Sequence, residues 1–200
     1  MSRIHCVKIP LLLVCLTTTL LSLPVSTFAA GFGFFLGGTR SRQDWDSSSY
    51  SYNTALVGLT LDSNVAADRV FNYRLDMYYG SGDHDFESSS DMFGMTHTFG
   101  FGVVRTRPVR VWFGPQIGMY YESGGGDWNS WDMYGVNIGP VVGVNFNMGP
   151  VVSLALTGYA RFGAYSFDDD FGSENDTERI MGMNLALYFR TRGDRYHRGR

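Results

Sequence analysis

The sequence predicts an all-β protein, an eight-stranded antiparallel up-and-down transmembrane β-barrel. Three observations carry that expectation: eight segments alternate apolar with small or polar residues, the connections between them are alternately short and long, and the composition is poor in charge. Of the 200 residues, 44% are hydrophobic and 18% charged, with 16% aromatics and 25 glycines. A soluble domain usually carries about 25% charged residues. Glycine at this density would cost about 1 kcal/mol at each helix-interior position, which disfavours a helical fold. A net charge of −3 argues against a nucleic-acid partner, which needs a basic surface.

Residues 1–29 read as a cleaved secretory signal peptide. Arg3 and Lys8 form a short positive region, an apolar stretch follows over 9–23, and Thr27-Phe28-Ala29 supplies small residues for cleavage. The stretch is short for a membrane anchor and ends at Pro24. A lipoprotein cut before Cys15 is disfavoured, because Val14 precedes the cysteine and the cut would bisect the apolar stretch. Cleavage removes both cysteines and the only lysine. The mature chain then carries 14 arginines against 19 acids, a net charge of −5. It has no disulfide to staple it, so core or membrane must stabilise it.

The strands follow in order. Segments 32–39 and 52–61 are the least regular. Segment 70–79 sets Phe71, Tyr73, Leu75, Met77 and Tyr79 against Asn72, Arg74 and Asp76. Segment 93–103 sets Phe93, Met95, Phe99, Phe101 and Val103 against glycines and threonines, and 111–121 sets Val111, Phe113, Ile117 and Met119 against Trp112, Gly114, Gln116 and Gly118. Segment 134–146 opposes Val136, Ile138, Val142, Val144 and Phe146 to Asn137, Asn145 and glycines. Segment 152–162 opposes Leu154 and Leu156 to Ser153, Thr157 and Arg161, and 181–189 opposes Met183, Leu185, Leu187 and Phe189 to Asn184. Such alternation marks half-buried strands. Short links at 62–69, 106–108 and 147–150 alternate with long ones at 40–51, 80–91, 122–132 and 166–179, as in a meander with its long loops at one end. Eight antiparallel strands in that order close into a barrel without exposed edges.

A soluble lipocalin-like barrel would put its apolar face inside. Here the opposite face is mostly Gly, Asn, Thr and Ser, which suits the narrow interior of an eight-stranded barrel, so the apolar face is expected to meet lipid. Strands of about 10 residues also match a tilted membrane crossing. Charge is sorted end to end. Fifteen acids lie in or beside the long loops, among them Asp91, Glu122, Asp132 and Glu178; nine arginines, among them Arg69, Arg105 and Arg110, gather at the other end. Tyr52, Tyr79, Tyr121, Trp131, Tyr134 and Tyr165, where strands meet long loops, are expected to form an interfacial aromatic girdle.

With these features the chain resembles the small eight-stranded outer-membrane barrels, the group of the OmpA transmembrane domain, OmpX and the opacity-type surface proteins. The resemblance covers roughly residues 31–190. Phe189 ends the last strand like the aromatic of an assembly signal, with Leu185 and Leu187 after Gly182. Ile180 stands where a polar residue is usual, and eleven residues follow Phe189 where many relatives stop. The resemblance implies a Gram-negative envelope, localisation in the cell outer membrane, and contact with outer-membrane lipid and lipopolysaccharide. It also implies handling by the barrel-assembly machinery and periplasmic chaperones, a monomeric state, and no cofactor.

Within the expected barrel at 30–190, Arg74, Asp76, Gln116, Asn137, Asn145, Tyr159, Arg161 and Asn184 point to the lumen. Charges in so confined a space must be paired or hydrogen-bonded. A polar plug is the expectation, and a narrow, porin-like ion path the alternative. Asp168, Asp169, Asp170, Glu174 and Asp176 form a candidate divalent-cation loop through oxygen ligands, although the spacing is not that of an EF-hand. His97 shares the outward face with Met95 and Phe99, where an ionisable group is expensive. No Ser, Asp or Glu stands beside it to complete a relay, so a lipid A-modifying enzyme is a lesser alternative to a non-enzymatic barrel. Residues 191–200 form a short basic periplasmic tail. The expected role is structural or surface-interactive, through acidic extracellular loops.

Overall fold

A computed structural model describes residues 31–45, 48–65, 69–84, 88–125, 130–169 and 172–190. The expected leader 1–29 and tail 191–200 lie outside the described residues. Eight strands, β1 (Gly31–Trp45), β2 (Ser48–Asp62), β3 (Phe71–His84), β4 (Ser88–Arg105), β5 (Val109–Gly125), β6 (Ser130–Asn147), β7 (Val152–Asp169) and β8 (Ser173–Arg190), pair in sequence order. β8 returns to β1 and closes the ring. At the seam Phe32 faces Phe189, their rings 5.6 Å apart. We call the end holding Gly31 and Arg190 the lower end.

All eight expected strands are present, but each runs further than its alternating apolar segment. Seven of the eight are 15 to 18 residues long, and the extra length lies mainly at the upper end. The expected long loops are therefore mostly paired strand: only 46–47, 85–87, 126–129 and 170–172 fall between strands there. Beyond the apolar band, Ser, Asn and Asp residues keep the backbone ladder, which needs no apolar side chain to form. The longest connection is the one between β2 and β3, at the lower end.

Alternation sorts the two faces as expected for a barrel in hydrocarbon. Phe34, Leu36, Val136, Ile138, Phe162, Met181 and Met183 are each more than half exposed on the outside. Arg74, Asp76, Arg110, Gln116, Asn145 and Glu178 are buried inside. A water-soluble barrel would reverse this pattern.

Two prolines interrupt the ladder. Pro115 of β5 stands directly opposite Pro140 of β6, both exposed on the outer face. Proline donates no ladder hydrogen bond. The pairing skips from Thr98↔Gln116 to Phe101↔Phe113 on one side and from Ile138↔Phe162 to Val141↔Tyr159 on the other. The glycine before each proline lies against the next strand: a Cβ would sit 1.9 Å from the Phe99 carbonyl oxygen at Gly114 and 2.0 Å from that of Ala160 at Gly139. Gly139→Ala is therefore expected to destabilise the barrel by about 1–3 kcal/mol, as overpacking does. Gly158→Ala, where nothing lies within 4 Å, should be neutral. Urea unfolding of both variants in lipid vesicles would compare them.

Candidate functional site: the barrel lumen

The lumen is filled from bottom to top by inward side chains. At the lower end the β2–β3 connection turns in under the barrel. Asp62 Oδ1 accepts from the Asn64 backbone N–H at 2.8 Å, and Asn64 Nδ2 donates to the Arg69 and Phe71 carbonyls at 2.9 and 3.2 Å. These bonds fold the turn so that Val65 is wholly buried and packs into the apolar cluster with Trp112, Ala155 and Tyr188. Arg110 pins it from across the barrel. Its Nη1 donates to the Asn64 carbonyl at 2.8 Å and its Nη2 to Asn72 Oδ1 at 3.1 Å, while Asn145 Nδ2 donates to the Val65 carbonyl at 3.4 Å.

Above this cork, Arg74 and Asp76 form an ion pair at 2.9 Å, both buried. They are neighbours on the inward face of β3 because a strand returns to the same face every second residue. Arg74 also donates to Thr60 Oγ1 at 3.1 Å and, from Nη1, to Thr157 Oγ1 at 2.8 Å. Its guanidinium lies 5.5 Å from the Tyr188 ring centroid and 5.9 Å from that of Trp112. Tyr188 OH and Thr60 Oγ1 share a 2.8 Å bond, and Trp112 Nε1 donates to Asn145 Oδ1 at 3.1 Å. The middle layer continues with Thr96 donating to Asp76 at 3.4 Å and Gln116 Nε2 to Thr98 Oγ1 at 2.9 Å. Arg161 lies over the Tyr159 ring at 4.5 Å.

The upper layer is acidic. Glu122 accepts from Tyr52 OH at 3.1 Å and Ser90 Oγ at 2.6 Å. Glu178 accepts from Tyr120 OH at 2.7 Å and Asn137 Nδ2 at 3.4 Å. The lumen thus reads, from below, as a turn held by arginine, a guanidinium–carboxylate layer, an amide layer, and a carboxylate–phenol layer.

All eight residues expected to point to the lumen do so: Arg74, Asp76, Gln116, Asn137, Asn145, Tyr159, Arg161 and Asn184 are buried inside. Four further charged side chains line the lumen among the described residues. By position along the chain Asp62 falls in a short link, Arg110 at the basic end, and Glu122 and Glu178 in the acidic loops; all four are buried in the barrel. The signal was present, since extending the alternation of Trp112 and Gln116 puts Arg110 and Glu122 on the same inward face, and Asn184 does the same for Glu178.

The aromatic girdle is corrected in the same way. Tyr52 and Tyr165 are buried inside the barrel, and Trp131 lies on the inward face of β6, stacked 5.6 Å from Phe167. Their place in the alternation, not their nearness to a turn, decides which way they face. Tyr79, Tyr121 and Tyr134 do face outward. Tyr121 and Tyr134 pack at 4.9 Å, Tyr121 OH donates to Asp132 at 2.6 Å, and Tyr79 OH donates to Asp91.

The cation loop is not assembled. Asp168 and Asp169 alternate to opposite faces of β7; Asp169 Oδ1 accepts from the Gly172 N–H at 2.9 Å and Asp176 Oδ1 from the Thr177 N–H at 2.6 Å. Glu174 is exposed on β8, and Asp170 lies outside the described residues. Among the described residues no three acidic, histidine or cysteine side chains converge as a metal site.

His97 has a partner of its own. In the middle of the outward run of β4 it shares a 2.6 Å hydrogen bond, through Nδ1, with Tyr73 OH on β3. That bond satisfies an imidazole and a phenol on the apolar outer face. Tyr73→Phe is expected to cost about 1–2 kcal/mol, the value of a polar contact inside a membrane, in vesicle unfolding.

No family model matches the chain, and no curated protein is similar to it in sequence. Solved structures share its fold. Neisserial surface protein A (NspA) superimposes with a TM-score of 0.55 at 9% identity, covering 80% of this chain and 97% of that one. Ail, the attachment invasion locus protein of Yersinia pestis, gives 0.49 at 11% identity, covering 81% and 99%. The chain is thus an all-β, closed eight-stranded barrel of the architecture found in small outer-membrane barrels.

Proposed function

We propose that the protein is a monomeric outer-membrane barrel with a closed lumen and a structural or surface-interactive role. The observation that carries this reading is the inversion of the barrel, with an apolar exterior wrapped around a charged and hydrogen-bonded interior. The closed ring leaves no strand edge to recruit a second copy. The β2–β3 turn and the Arg74–Asp76 layer support a plug over a channel. The upper hairpins, rich in acids and hydroxyls, are the surface offered to the outside, with lipid and lipopolysaccharide around the band. Delivery would run through a cleaved leader, periplasmic chaperones and the barrel-assembly machinery. A catalytic role gains no support from His97, which is tied to a phenol in mid-band.

Separating the membranes of expressing cells and running the outer fraction on a gel, unheated and boiled, tests the placement. The protein should pellet with the outer membrane and change mobility on boiling. Recovery in the periplasmic supernatant with one mobility would overturn the reading in favour of a lipocalin-like binder. In planar bilayers the closed barrel should be silent; discrete conductance would establish the narrow channel instead. Lipid A mass spectra should be unchanged by expression.

A further inference from the structure

Three methionines stand in one cross-strand row on the outer wall. The register sets Met77 of β3 directly opposite Met95 of β4, and Met95 directly opposite Met119 of β5. Residues so opposed have Cβ atoms about 4.5–5.5 Å apart, within reach of long, flexible thioethers. His97 stands next below Met95 on the same face, opposite Leu75 and Ile117. Met95 is only 3% exposed although it faces outward, so the surrounding side chains close over its thioether, while Met77 and Met119 are half-buried. The outward methionines of β8, Met181 and Met183, are by contrast 62% and 59% exposed. The His97 ring is held through Nδ1 by the 2.6 Å bond with Tyr73 OH, which leaves Nε2 on the other side of the ring. The row of Tyr79, Phe93 and Tyr121 lies next above the methionines, and Asp91 above that. Elsewhere the exposed apolar positions of the wall are mainly Phe, Leu, Val and Ile, which offer no ligand.

We propose that Met77, Met95, Met119 and His97 form a binding site for a soft monovalent cation, copper(I) or its redox-inert analogue silver(I). Thioether sulfur is a soft donor that selects copper(I) over hard ions, and imidazole is a suitable further ligand. A metal-ligating histidine characteristically has its other ring nitrogen hydrogen-bonded, which fixes its tautomer and orientation. Tyr73 OH supplies that bond here. With Nδ1 protonated and donating to the phenol oxygen, the Nε2 lone pair is the one offered to the metal. Thioethers and imidazole are all neutral, so the complex carries a single positive charge, which costs less on an apolar wall than the double charge of zinc or calcium. The site lies on the outer wall and does not depend on the state of the lumen.

The test titrates silver(I) nitrate into the full chain in detergent micelles and chloride-free buffer, followed by calorimetry and by NMR of isotope-labelled methionine methyl groups. Every protein carries Cys6→Ser/Cys15→Ser, so that no thiol competes. A single silver ion should bind, and the methyl signals of Met77, Met95 and Met119 should shift while those of Met181 and Met183 stay in place. Met95→Leu/Met119→Leu, a volume-conserving change, should lose roughly tenfold or more in affinity and keep the heat-dependent gel mobility of a folded barrel. His97→Leu should lose roughly tenfold as well, whereas Met181→Leu/Met183→Leu should bind like the parent. Affinity within about twofold of the parent in Met95→Leu/Met119→Leu or in His97→Leu overturns the site, as does an equal loss in Met181→Leu/Met183→Leu. Methyl shifts spread over all the methionines would show adventitious silver on exposed thioethers only, and would overturn it too. Each of these outcomes leaves the placement of the barrel in the membrane untouched.

Discussion

Arg74→Leu is expected to lower the unfolding free energy by about 3–5 kcal/mol, the cost of stranding a buried carboxylate. The guanidinium is the ion-pair partner of Asp76 and also holds Thr60 and Thr157 across the lumen. Its loss would leave Asp76 with little more than the 3.4 Å bond from Thr96. Arg74→Leu/Asp76→Leu should recover at least half of that loss, because replacing both members of a buried pair removes the uncompensated charge. Urea unfolding of the three proteins in vesicles closes a double-mutant cycle. A single variant as stable as the wild type would show that the layer is not held by this pair. A double variant no better than the single would assign the loss to packing against Trp112 and Tyr188.

Arg110→Met is expected to unlock the lower mouth. This side chain connects β5 to the Asn64 carbonyl and to Asn72, and with them to a turn that buries Val65 in the barrel. Without its donors those acceptors are left buried, at a cost of about 1–3 kcal/mol for each unsatisfied group. The turn is then free to swing out to water. The measurable result is conductance: the variant should show discrete openings in planar bilayers in which the wild type is silent. A variant that stays silent would show that Val65 and Asn145 hold the cork by themselves, and that the Arg74 layer is the seal. Combining Arg110→Met with Arg74→Leu/Asp76→Leu would then separate the two barriers.

Much of this barrel is legible from alternation. Segments such as 70–79 and 134–146 declare both strand and face, since an apolar side chain every second residue has only one physical reading in a closed sheet. The inward set from Arg74 to Asn184 follows directly. Legibility fails where apolar residues stop. Strand ends such as those of β4 and β8 are built of Ser, Asn and Asp, whose pairing is carried by backbone hydrogen bonds that leave no mark on side-chain pattern. From side-chain pattern alone those stretches resemble loops, which makes Glu122 and Glu178 look like surface acids and Tyr52 and Tyr165 like membrane-interface residues, whereas all four are buried inside.

Strand number, order and the inversion of polar and apolar faces are local and periodic properties, and the chain states them without help from its fold. Which residues meet is not periodic. That Arg110 reaches the turn after β2, that Tyr73 and His97 share a hydrogen bond on the outer face, and that Arg42 stands opposite Arg179 all depend on register or on ring closure. Register joins positions 24 to 137 residues apart in the chain in these three cases, and closure brings the first strand beside the last. No local pattern encodes such distances; the folded ring alone reveals them.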